Sequence, residues 1–344
     1  MAEKLSFASD YQEGAHPLIL QRLAETNLIK NPGYGLDAFS ESAREKIRLA
    51  CSAPEADVFF LVGGTQTNAT AIDAMLRPYQ GVLAAESGHI SVHEAGAIEL
   101  GGHKVLTLPQ QYGKICPAAL KAALDSYWQD LNREHMVMPG LVYLSQPTEY
   151  GTLYSRRELE EISALCHAHA LPLYLDGARL AYALSCQEND LSLPDIARLC
   201  DAFYIGGTKC GALFGEALVV PRHDAIPHLF TIIKQHGALL AKGWIAGLQF
   251  DTLFSGGLYE RLGKNGIRTA ARIREALTEK GYTLAFPSPT NQIFLLLTRE
   301  KAAELSQRVE LSFWENPDEA HSILRLCTSW ATDDKQVDEL LTII

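Results

Sequence analysis

Short apolar runs alternate with amphipathic stretches through the first two thirds of the chain. Residues 57–62, 81–85, 104–108, 140–145, 171–175, 202–205 and 217–220 have the length and apolar continuity of buried strands. The segments between them read as helices at 17–26, 40–51, 69–76, 91–100, 117–131, 155–170 and 195–200, with Ser40 as a cap for the second. Ser155 followed by Glu158 spells a capping box. Strand and helix in alternation predict an α/β fold with a mostly parallel sheet, covered by helices on both faces. After residue 221 the pattern changes: two long helical stretches at 228–254 and 258–280 precede strands at 293–297 and 322–327 and a closing helix from Asp334. This predicts a large domain over residues 17–250 and a smaller α+β domain built from 1–16 and 251–344.

With 344 residues and 47% hydrophobic content, the chain is large enough for both. The formal net charge of −11 and the absence of any Lys or Arg block argue against a nucleic-acid or anionic-membrane partner. Seven cysteines, irregularly spaced and without a CxxC pair, suit free thiols in a reducing cytosol and neither a disulfide framework nor a zinc site. The first ten residues lack an apolar signal core, and no segment reaches bilayer-spanning length. A soluble, cytoplasmic protein is expected.

The acidic balance means that a site for an anionic ligand must gather its cations locally. Three strand ends offer such chemistry. Leu61-Val-Gly-Gly-Thr-Gln-Thr-Asn68 is a strand, a glycine turn and a helix start, where free N–H groups and the Thr65 hydroxyl could seat a phosphate. It is neither GxGxxG nor a Walker loop. Asp176 closes the strand at 171–175 and needs a cation; a protonated cofactor ring nitrogen or the nearby Arg179 could supply it. Lys209 lies in a small-residue turn, Gly206-Gly-Thr-Lys-Cys-Gly211, where partial burial would make the amine nucleophilic toward an aldehyde. In open α/β sheets such ends converge on one crevice. Phosphate seat, ring-nitrogen partner and Schiff-base lysine are the contacts that pyridoxal 5′-phosphate requires. His89 follows another strand and could stack on a flat ring. His93 stands four residues on, but HxxxHE is no zincin motif and a third ligand is lacking, so no metal site is assigned. Arg325, in an apolar strand, suits a substrate carboxylate or an internal ion pair.

Gly64-Thr65-Gln66, Ser87-Gly-His89 with His93-Glu-Ala-Gly96, Asp176-Gly-Ala-Arg179, Lys209 and Arg325 together resemble the threonine aldolases of the β-eliminating lyase group. The likeness runs from about residue 6 to 335. It implies the fold-type I architecture of pyridoxal phosphate-dependent enzymes. The implied reaction splits the Cα–Cβ bond of a threonine or allo-threonine type substrate into glycine and an aldehyde. By resemblance, Lys209 carries the cofactor, Asp176 meets its ring nitrogen, His89 stacks on the ring, and Gly64, Thr65 and Gln66 hold the phosphate. Ser9, Arg179 and Arg325 match substrate-carboxylate positions. The family forms homodimers or homotetramers with shared sites, to which Tyr34 and Lys234 or Lys242 are the candidate contributions. The family often places a histidine in the loop after the strand at 140–145; here Glu149 or Tyr150 occupies that place, which leaves His89, or Glu149 through a water, as the candidate base for the β-hydroxyl proton. A β-eliminating amino-acid lyase, and a cofactor-free scaffold on the same fold, are the alternatives.

Overall fold

Seven strands form the central sheet of the computed structural model, which describes residues 4–344; residues 1–3 of the segment assigned to the small domain lie outside it. The strands of the chain are β1 (Leu5–Ser6), β2 (Asp57–Leu61), β3 (Gln80–Ala85), β4 (Val105–Leu108), β5 (Met138–Ser145), β6 (Leu173–Asp176), β7 (Ala202–Gly206) and β8 (Glu216–Val220). They continue with β9 (Thr283–Leu284), β10 (Gln292–Thr298), β11 (Val309–Glu310), β12 (Ser312–Glu315) and β13 (His321–Cys327). The central order is β2-β8-β7-β6-β5-β3-β4. From β4 to β7 every pairing is parallel, and β8 then runs antiparallel to both β7 and β2.

Alternate residues of these strands serve opposite cores. Leu83, Val142, Leu173, Phe203 and Val219 point into one apolar layer, and Val82, Tyr143, Tyr174, Tyr204 and Leu218 into the other. Burial on both faces explains why the strands read as continuous apolar runs rather than alternating ones.

Register brings the chemistry to one edge. Ser145 pairs with Asp176, Gly206 with Glu216, and Glu216 with Leu61. The ends of β2, β5, β6 and β7 and the start of β8 therefore share the edge from which the loops carrying Gly64, Glu149, Arg179 and Lys209 emerge. Two glycines make this approach possible: a Cβ on Gly177 would overlap the Tyr204 carbonyl, and one on Gly206 the Ala178 carbonyl. Backbone meets backbone there, so any side chain would force the Asp176 and Lys209 loops apart.

The second sheet, β12-β13-β10-β9, is antiparallel and packs its apolar face on the helices Leu258–Glu279 and Asp334–Ile343. β1 joins β11 alongside it, outside the expected strands. Four helical expectations need correction: to begin with, the helix placed at 69–76 starts at Gly64 and takes in residues read as a turn. The stretch 228–254 is two helices, Leu229–Gln235 and Trp244–Leu253, separated at Gly237 with φ +66°. The stretch 91–100 is likewise split into His89–Val92 and Ala97–Leu100, because Ala95 and Gly96 adopt φ of 52° and 75°. The helix assigned to Ser40 begins at Ala38 and is capped by Asp37, which accepts the Ser40 N–H at 2.8 Å. The capping box of Ser155 and Glu158 is present as read. The seven cysteines are free, and no helix among the described residues is long and apolar enough to cross a membrane.

Candidate active site

Asp176 sits at the end of β6 and is buried. Its carboxylate accepts hydrogen bonds from Tyr143 (2.7 Å), Tyr204 (2.5 Å), Asn68 (3.0 Å) and the Ala178 N–H (3.0 Å). Burial favours the protonated acid, but His89 and these donors outweigh it and hold the carboxyl below its usual range. All four bonds come from neutral donors. Among the described residues no cation contacts this buried anion, which faces a cavity of about 290 Å³ lined also by Gly63, Gly64, Thr65, Thr208 and Lys209.

The Asp176–Arg179 pair weighed from the sequence is not formed. Arg179 instead grips Asp10 with Nε (2.6 Å) and Nη2 (3.0 Å), and Asn291 supports the same carboxylate at 2.9 Å. Burial alone would raise the Asp10 carboxyl; Arg179, with Lys209 behind it, brings it down to about 2. A folded pKa below the unfolded one stabilises the protein at pH above about 4, and that contribution disappears as pH falls toward 2. Asp10→Asn should therefore lower unfolding stability at pH 7 by about 3 kcal/mol, since it leaves a buried guanidinium unpaired. The wild-type advantage in a urea or thermal titration should shrink at pH 3.

Lys209 is half-buried, and no carboxylate lies within ion-pair distance of its Nζ among the described residues; the Nζ lies over the Tyr11 ring, 5.9 Å from its centroid. Burial, reinforced by Arg179, lowers the ammonium pKa. The turn that carries it is tightly fixed: Gly207 and Thr208 N–H donate to the Gly215 carbonyl at 3.0 and 3.1 Å, and Tyr182 donates to the Lys209 carbonyl at 2.6 Å. Glu216, which sequence reading passed over, accepts the Gly207 N–H at 3.1 Å, and burial pushes its carboxyl up to about 8. No local signal marks it, because its role arises from β8 folding back beside β7.

The helix Gly64–Met75 starts on Gly63 without a side-chain cap, so its first-turn N–H groups open toward the cavity. Gln66 turns away: its Oε1 accepts the Val62 N–H at 3.2 Å, and it does not line the cavity. His89 Nδ1 contacts Glu94 at 2.7 Å, and Glu94 accepts from Asn68 at 2.7 Å, which gives a chain from the half-buried His89 through buried Glu94 and Asn68 to Asp176. Glu94 lay in a quoted motif, but its function depends on Asn68, twenty-six residues away. Glu149 is buried and accepts both the Ser145 hydroxyl (2.7 Å) and the His89 N–H (2.9 Å); burial raises its carboxyl.

A second cavity of about 680 Å³ adjoins the first, sharing Tyr11, His89, Glu149, Arg179 and Lys209. Arg325 reaches it from β13. Its Nη1 donates to Gln292 at 3.2 Å, its guanidinium lies 5.6 Å from the Trp314 ring, and its buried Nε has no partner. Ser9 is buried with an unpartnered hydroxyl and lines neither cavity. Tyr34 is also outside both; its ring stacks under the exposed Lys234 at 4.4 Å. Lys242 is exposed.

The family model for β-eliminating lyases matches residues 7–300. The chain belongs to the β-eliminating lyase family. This lyase-family chain is 33% identical to a low specificity L-threonine aldolase of Pseudomonas aeruginosa, across 97% of the chain and 95% of that protein. Another, from a Pseudomonas species, is 30% identical across 97% and 95%. The solved Leishmania major threonine aldolase superposes with a TM-score of 0.94 at 46% identity, covering 98% of each chain. Thermus thermophilus aspartate aminotransferase, at 15% identity and a TM-score of 0.73 over 99% and 91%, shares the fold alone. The fold is that of the fold-type I enzymes.

Pyridoxal 5′-phosphate, the cofactor of these lyases, fits the donor set of the chain. The cationless Asp176 carboxylate suits a protonated ring nitrogen, the unpaired Lys209 amine an aldehyde, and the uncapped helix start at Gly64 a phosphate. A Cβ built on Gly63 would meet nothing within 4 Å, so the space before that helix start is open.

Proposed function

We propose that the protein cleaves β-hydroxy-α-amino acids of the L-threonine or L-allo-threonine type to glycine and an aldehyde. The observation that carries this reading is the shared cavity between a buried carboxylate without a cation and an amine without an anion. The names of the aldolase relatives support it. When bound, the cofactor supplies an electron sink for charge left on Cα. Asp176 favours the protonated ring nitrogen that makes such a sink effective. Lys209, its ammonium destabilised by burial, is the amine available to hold the cofactor and to move a proton at Cα. His89, braced by Glu94, lines the cavity and would stack on the ring.

Arg325 and the remaining face of Arg179 are the cations available to a substrate carboxylate. Fixing that carboxylate sets which Cα bond stands perpendicular to the ring, and so which bond breaks. Most of the Arg179 fork is taken by Asp10, so Arg325 carries the larger share. Arg325→Gln should raise KM by about ten- to a hundredfold, the loss of a charge-assisted pair. Steady-state kinetics with L-allo-threonine measure it.

We also infer a cytoplasmic homo-oligomer with shared sites. Tyr34 and Lys234 are paired with each other yet outside their own cavities. Leu18, Leu20, Leu28, Ile29 and Leu36 expose apolar surface on the neighbouring helix and loop. Incubating the holoenzyme with L-threonine, L-allo-threonine and β-phenylserine tests the reaction. Glycine and the matching aldehyde are expected, whereas 2-oxobutanoate and ammonia from threonine would indicate β-elimination instead.

A further inference from the structure

Cleavage of a β-hydroxy amino acid needs a base for the hydroxyl proton. Two residues near the cofactor cavity are poor choices. His89 has its Nδ1 committed to Glu94, and Glu149 Oε1 already accepts from Ser145 and from the His89 backbone. Burial also favours the neutral acid form of Glu149, which has little basicity. Both serve as fixed walls.

His93 differs from them. The helix that carries His89 stops there, because Ala95 and Gly96 take left-handed conformations, and His93 is left at the mouth of the larger cavity. Its ring centroid lies 5.6 Å from that of His89 and 6.2 Å from that of Trp314. Trp314 reaches this position from a β-bulge in the edge strand β12, where register shifts between Phe313 and Glu315. Bulges of this kind re-aim a side chain next to active sites. Tyr150 packs edge-on against the same indole at 5.4 Å. The imidazole is an exposed residue at the rim of the cavity with two aromatic rings nearby, and among the described residues neither of its nitrogens has a hydrogen-bond partner. Partial desolvation, together with His89, Arg325, Lys209 and Arg179, disfavours its protonated form.

We propose, on the aldolase reading above, that His93 is the general base for the β-hydroxyl. The substrate O–H bond breaks and its proton passes to a His93 nitrogen. The oxygen forms a carbonyl with Cβ as the Cα–Cβ bond breaks. That bond's electron pair stays with Cα, where pyridoxal phosphate would supply the electron sink, until Cα takes up a proton. His93 releases its own proton to solvent through the open mouth of the cavity.

The test compares two reactions of the holoenzyme in His93→Asn and His93→Phe. Cleavage of L-allo-threonine needs the hydroxyl base; exchange of a glycine Hα for deuterium, followed by NMR in D2O, does not. Cleavage should fall by about a hundredfold or more while exchange stays within about threefold of wild type. The cofactor absorbance should be retained, which reports an intact site. Cleavage left intact in either variant, or cleavage and exchange falling together, would overturn the assignment. Failure of the aldolase reading is separately visible, since wild type would then release no glycine from any β-hydroxy amino acid.

Discussion

Lys209→Ala is expected to remove the near-visible absorption band of the holoenzyme and to lower cleavage by on the order of 10⁴-fold. The size follows from what the alanine deletes. It removes the one lysine amine that lines both cavities, and with it the group placed to exchange protons at Cα. Stability should change little. The Lys209 turn is held by backbone bonds to Gly215 and by Tyr182 on the Lys209 carbonyl, none of which involves the side chain. Burial and Arg179 already disfavour the ammonium, so its removal relieves a mismatch rather than creating one. Absorbance spectra and product formation on the purified variant measure both parts. A variant that keeps its band and its rate would assign the amine elsewhere.

Asp176→Asn should lower kcat by about 10²- to 10³-fold, as expected when a preorganised charge is taken from a reaction centre. Asparagine has nearly the same shape but cannot favour a protonated ring nitrogen. Its amide would also turn an N–H₂ toward Tyr143, Tyr204 or Asn68, all of which now donate. One mispaired donor costs about 1–3 kcal/mol, so the apoprotein should unfold at measurably lower denaturant. Loss of stability with kcat unchanged would make Asp176 a packing residue only.

The residues that were legible beforehand are those whose meaning is local. Asp176 and Lys209 each follow a short apolar run, and a carboxylate or amine there requires a partner wherever the rest of the chain goes. The strands were legible because a sheet covered on both faces leaves uninterrupted apolar words such as Phe203-Tyr-Ile205. Long-range pairing was not legible. Arg179 meets Asp10 across 169 positions, and no spacing rule connects them. Glu216 gains its place only because β8 turns back against β7. Trp314 enters the cavity through a bulge in a four-residue edge strand, a feature with no compositional mark. The helical stretch from 228 was over-extended because apolar continuity hid the break at Gly237. Gln66 sits in a phosphate-type motif but is drawn back to the Val62 N–H, since a helix start needs its own strand end secured.

Borohydride reduction of the holoenzyme followed by peptide mapping addresses the core of the account most directly, because it fixes the cofactor to whichever amine holds it. A phosphopyridoxyl group on the peptide containing Lys209, and on no other, is the predicted result. The same group on Lys234 or Lys242, or no labelled peptide after saturation with pyridoxal phosphate, would contradict it.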